Sequence, residues 1–187
     1  VTHERFITGK TDVLDLLIDR EGGDVERASL IAFPERITTP NVPFPLVDSR
    51  NNYALQSGLV GPDGTDKPVG RPVFTVDQNH YEMADAELLV DLHLMTERGV
   101  PLIKRFRFLP QDYRVSVEYI VDNNTDEPWS AAMFGQIKRD GGAPAYSDEN
   151  GMGLQPYVGG ATFRPGSPYS KLEFDDLEEA PYREKIE

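Results

Sequence analysis

Asp122, Asn124 and Asp126 stand at alternate positions of "DNNTDEP", the spacing at which a calcium loop sets its first oxygen ligands. The pattern then fails. Glu127 holds the sixth position, where such a loop needs glycine, and Met133 the twelfth, where a bidentate glutamate belongs. Asn and Asp also tolerate turn conformations, so a hairpin turn explains the same residues. The three histidines, His3, His80 and His93, show no zinc spacing of the H-E-x-x-H kind. With no cysteine there is no thiolate ligand, no cysteine nucleophile and no disulfide framework. The 32 acidic residues are enough to assemble a glycosidase-like carboxylate pair, yet nothing marks which two. Neither a G-x-S-x-G elbow, nor a P-loop, nor a Rossmann fingerprint is present.

Gly22-Gly23 in "LIDREGGDVERASLIAFP" is the remaining candidate for ligand chemistry. A phosphate cradle needs its glycines to lead into a helix amino end. Here Val25, Ala28, Leu30 and Ile31 resume an extended apolar pattern instead. The pair therefore reads as a tight turn with positive φ. Asp19, Arg20, Glu21, Asp24 and Glu26 are expected to coat its solvent-facing end. Trp129, the only tryptophan, reads as a sheet-face anchor in preference to a sugar-stacking platform.

The elements that must position these residues are strands. Alternation at period two runs through 12–19, 87–95, 102–108 and 113–121. In "LIKRFRF", Phe106 and Phe108 alternate with Arg105 and Arg107. "ERGVP" (97–101) reads as a hairpin connection, and 122–128 as a turn back towards "WSAAMFGQIK". Two longer Gly/Pro-rich loops cover 58–72 and 139–160. The best helical pattern, 177–185, is short and interrupted by Pro181. An all-β sandwich of mostly antiparallel strands follows.

The 187 residues suit one domain, and 39% apolar content is enough for a core. A net charge of −13 disfavours nucleic acid and acidic bilayers, so no nucleic-acid partner and no direct lipid binding are expected. No run reaches the ~18 apolar residues of a membrane span, and the start "VTHERFITGK" is not a signal peptide.

Four blocks carry a resemblance along nearly the whole chain. "KTDVLDLLIDREGGDVERASLIAFP" (10–34), "YALQSGLVGPDG" (53–64), "IKRFRFLPQDYRVSVEYIVDNN" (103–124), and "FGQIKRD" (134–140) with "YVGGATFRPGSPYSKLEFDDL" (157–177) are similar, in order, to the large periplasmic domain of the YidC/Oxa1/Alb3 insertase family, in its gammaproteobacterial form. The resemblance implies a galactose-mutarotase-like β-supersandwich at the periplasmic face of the bacterial inner membrane. It implies one domain over 1–187, a fragment of a larger membrane protein. The family's domain continues past the acidic segment, so the sandwich is expected to be truncated at its C-terminal end, with 173–187 flexible. It further implies a non-catalytic role without cofactor or metal, assisting insertion and folding of inner-membrane proteins. Substrate contact belongs to the absent transmembrane core, and Sec translocon accessory subunits are the implied partners. The strand 129–138 and the loop 139–160 are the candidate contact region, with Gln136, Tyr146 and Tyr157 as its residues. The alternative is a carbohydrate- or polymer-binding module. The paired histidines and glutamate of mutarotase-like enzymes do not map onto His3, His80 or His93.

Overall fold

The computed structural model describes residues 4–142 and 157–185. The chain is all-β apart from short helical turns, and it forms two compact units, Val1–Arg139 and Asp140–Glu187.

Among the described residues the first unit holds ten strands. They are β1 (Phe6–Lys10), β2 (Leu14–Asp19), β3 (Val25–Arg36), β4 (Thr39–Asp48), β5 (Ala54–Val60), β6 (His80–Glu82), β7 (Leu88–Met95), β8 (Pro101–Phe108), β9 (Val115–Val121) and β10 (Ala132–Lys138). One sheet runs β10-β5-β3-β2-β1-β6, with β4 also on β3; the other runs β7-β8-β9. Every pairing is antiparallel except β1 with β6.

Alternation explains how the two sheets meet. Ile7, Leu14, Leu16 and Ile18 from the first sheet share one core with Val90, Leu92, Leu102, Phe106 and Phe108 from the second. Each is nearly or fully buried. The core is therefore a sandwich interior, closed by side chains at every second position.

Three expectations need correction. The stretch 122–131 is not a hairpin. β9 pairs with β8 in one sheet and β10 pairs with β5 in the other, so the connection crosses between sheets. Its turn chemistry is as expected: Asn123 Oδ1 accepts from Thr125 Oγ1 at 2.7 Å, and Asn124 Nδ2 donates to Asp122 Oδ1 at 2.8 Å. The helix lies earlier than 177–185. Helix α1 (Phe174–Glu179) stops at Ala180, because Pro181 lacks an N–H and pushes the residue before it out of helical geometry. Finally, the Gly-Gly turn has its positive φ, 75° at Gly22 and 64° at Gly23, yet of the five charges beside it only Glu21 is exposed and Glu26 is half-buried. Asp19, Arg20 and Asp24 are all buried.

In the second unit, β11 (Gly160–Arg164) and β12 (Ser167–Leu172) form an antiparallel hairpin. Gly166, with φ 83°, makes its turn. α1 follows and buries none of its residues.

Candidate functional site

The parity that sends Phe106 and Phe108 into the core sends Lys104 there too. Lys104 is 0% exposed. Its Nζ donates to the carbonyl oxygens of Gly22 at 2.8 Å and Ser57 at 3.0 Å. A cation on β8 thus reaches across the sandwich to the β2–β3 turn and to β5.

A second cation meets the same two carbonyls. Arg71 Nη2 donates to Ser57 O at 2.7 Å and to Gly22 O at 3.4 Å. Its Nε donates to Asp66 Oδ1 at 2.7 Å, and its Nη1 to Asp24 Oδ2. Gln56 Nε2 adds a 2.6 Å bond to Asp24. Asp66 also accepts from the Leu59 backbone N–H at 2.9 Å. Two cations and two carboxylates therefore close on one another around two backbone oxygens. Such a group is tolerable inside a protein only when its members satisfy each other.

The glycines now have a second reason. A Cβ at Gly22 would lie 2.4 Å from the Arg71 guanidinium carbon. One at Gly23 would lie 2.9 Å from Lys104 Cδ and 3.0 Å from Leu92 Cδ2. Positive φ and close approach both call for glycine here.

Burial sets the proton affinities. It pulls Lys104 down to about 8, with Arg71 adding to the fall and Asp24 and Asp66 resisting it. It pushes Asp24 above the usual carboxylate range, against the pull of Arg71 and Gln56. For Arg71 burial acts against the charge, but the hydrogen bonds and charges of Asp66 and Asp24 more than offset it. Tyr119, whose hydroxyl lies 3.4 Å from Ser57 Oγ, is raised to about 12 by burial. A lysine near 8 has the acidity of a nucleophile. Enclosed on all sides and bonded to two carbonyls, this one joins sheets instead.

Arg71 also lines a cleft of about 340 Å³, within the range of ligand sites. The walls are the 62–72 loop, the β7–β8 hairpin and Trp129. Ion pairs hold the walls together. Lys67 meets Glu97 at 2.5 Å, and Arg98 meets Asp63 at 2.7 Å. Asp63 accepts as well from the Ser130 N–H at 2.7 Å, and these donors, Arg98 first, hold its carboxyl below the usual range. Trp129 Nε1 is shut off from solvent and has no partner among the described residues.

The residues singled out in the sequence are not gathered here. Gln136 is exposed on edge strand β10, opposite Gln56. Tyr157, in the second unit, donates to Gly160 O at 3.0 Å, with the Lys171 ammonium 4.5 Å from its ring centre. Tyr146 and His3 lie outside the described residues. His80 bonds Thr8 Oγ1 at 2.9 Å on the first sheet, whereas His93 belongs to the second. Among the described residues no group of three His, Asp or Glu side chains could hold a metal ion. Sequence reading missed Lys104, Arg71, Asp24 and Asp66. Strand parity was a signal for Lys104; Arg71 and Asp66 sit in an irregular loop and offered none.

Comparison with known proteins adds the family. The model described as the YidC periplasmic domain matches residues 7–187. A protein named membrane protein insertase YidC from Pseudomonas aeruginosa PAO1 is 39% identical over 210 aligned residues, covering 98% of this chain and 36% of the relative. Namesakes from Pseudomonas fluorescens Pf0-1 and Alcanivorax borkumensis SK2 are 41% and 43% identical, covering 95% and 90% of this chain and 32% and 30% of themselves. The chain spans about a third of the length of the curated relatives it matches.

Proposed function

The chain belongs to the YidC periplasmic-domain family, and from that premise we propose that it serves a bacterial inner-membrane insertase as a non-catalytic interaction and spacing module. It acts as one periplasmic domain over 1–187. It assists the insertion and folding of inner-membrane proteins and contacts accessory subunits of the Sec translocon. The observation that carries this reading is the family match over 7–187. The geometry supports it in kind, since the buried charges of the first unit bond to one another and to backbone, as a rigid platform needs. The stretches 129–138 and 139–160 are the contact region on this reading, with Gln136, Tyr146 and Tyr157.

Two experiments on the full-length insertase test the proposal. Deleting 10–177 should leave membrane insertion largely intact while lowering capture of Sec subunits. Abolished insertion, with the transmembrane core still made and stable, would overturn the accessory role. Photo-crosslinkers at Gln136, Tyr146 and Tyr157 should capture a Sec subunit; capture from other faces only would overturn the assigned surface.

A further inference from the structure

We propose that β10 is a docking edge for a second copy of this chain, which adds its own β10 antiparallel and joins two sheets into one. β10 ends its sheet, and among the described residues only β5 pairs with it. Its seven residues keep one unbroken register with β5. They include no proline, and Lys138 at the end is the one charge. A regular edge of that kind offers a row of backbone N–H and C=O groups to another strand. The other edges are guarded. β6 is three residues long. β4 carries Pro40, Pro43 and Pro45, which cannot donate, and its pairing with β3 shifts register along its length. Part of the outer edge of β7 is taken by Thr75, which exchanges two backbone bonds of 2.8 Å with His93. β9 has Glu118 at its centre, so two β9 strands meeting there would set carboxylate against carboxylate. β10 has Gly135 at that place.

The occupant follows from the symmetry of the strand. Antiparallel pairing of two β10 strands about Gly135 sets Met133 of each copy opposite Ile137 of the other, Phe134 opposite Gln136, and Ala132 opposite Lys138. No like charges face each other. Met133 is 54% exposed and Ile137 69%. They share a face with Leu59 and Leu55, their partners on β5. Pairing therefore gathers four exposed apolar side chains, two from each copy, and continues a row that is already apolar. The glycine at the centre is not demanded by its own subunit: its φ is not positive, and a Cβ there would meet nothing within 4 Å. Across a two-fold axis it leaves room for its own mate. Each copy carries a net charge of −13, so association works against long-range repulsion and strengthens with salt. The inference goes beyond the interaction-module reading and does not depend on it.

The test is sedimentation of this chain over a range of concentrations. A reversible monomer–dimer equilibrium is expected, tighter at high salt than at low. Gly135→Lys and Gly135→Asp each alter an open position, so their thermal midpoints should hold. Each alone should weaken the dimer roughly fivefold or more, because like charges then oppose each other across the axis. Mixed in equal amounts, the two variants should recover the dimer as a heterodimer, a result that damage to the fold would not give. A chain that stays monomeric at every concentration, a dimer indifferent to Gly135→Lys, or a mixture of the two variants that stays monomeric would each overturn the proposal. None of these outcomes involves a Sec subunit or the transmembrane core, so a monomer leaves the deletion and crosslinking outcomes untouched and the two readings fail separately.

Discussion

Lys104 and Arg105 are neighbours on β8, and the strand sends them to opposite faces of its sheet. Outside, Arg105 grips Asp91 with two bonds of 2.7 and 2.6 Å, and both side chains remain about a quarter exposed. Inside, Lys104 is sealed between two carbonyl oxygens, with Asp24 and Asp66 among the charges acting on it. The outer carboxylate is held below its usual range, chiefly by the hydrogen bond from Arg105. The inner groups move the opposite way, Asp24 up and Lys104 down, because burial outweighs their partners. The difference teaches that the favourable-looking pair is the dispensable one. An exposed pair trades water for a partner at almost equal energy. A buried cluster is tolerable only while every member is present.

The largest test of that contrast is Lys104→Met. It takes one of two donors from each of the Gly22 and Ser57 carbonyl oxygens, leaving them to Arg71, and leaves the network with an excess carboxylate, so unfolding by denaturant should show a loss of about 3–5 kcal/mol. A loss below ~1 kcal/mol would erase the distinction between the faces. Next comes Gly23→Ala. Left-handed backbone and contact with Lys104 and Leu92 together should cost about 2–4 kcal/mol in the same measurement. Third is pH. Unfolded lysine keeps its proton to near 10.5, whereas Lys104 releases it at about 8. The unfolded state therefore binds more protons between those values, and stability rises with pH there, by about 2 kcal/mol at pH 10 relative to pH 7 for this group. The rise should disappear in Lys104→Met. Tyr119, raised to about 12, works the other way only at higher pH, since its neutral form is the one the fold favours. The smallest effect belongs to Arg105→Ala, expected within ~1 kcal/mol and reduced further by salt.

Much of the first unit was legible because its strands alternate cleanly. The runs at 12–19, 87–95, 102–108 and 113–121 became β2, β7, β8 and β9 within a few residues. The same alternation contained the buried lysine. It was hidden by habit, since a Lys-Arg pair beside an Arg reads as a solvated stripe and only strict parity separates Lys104 from Arg105 and Arg107. Sheet membership was not legible. Nothing local to β10 says that it pairs with β5 instead of β9, because that choice is made by long-range packing. The charges around Gly22-Gly23 misled for the same reason: their partners come from other segments, Arg71 for Asp24, Arg5 for Asp19 and the Phe74 carbonyl for Arg20. The periplasmic family assignment, by contrast, rests on blocks in order along the chain, which needs no three-dimensional information at all.

The crossing of 122–131 from one sheet to the other has a consequence in time. β5 has only its short pairing with β3 until β10 arrives to complete that side of the sheet. Pairings so far apart in sequence close slowly. A chain emerging amino end first into the periplasm must therefore pass through an interval in which β7, β8 and β9 can zip as neighbours while one flank of β5 stands open. Unpaired strand edges are where chains join wrong partners. The domain's own maturation is thus exposed to the hazard of wrong strand pairing, and the interval closes when β10 is delivered.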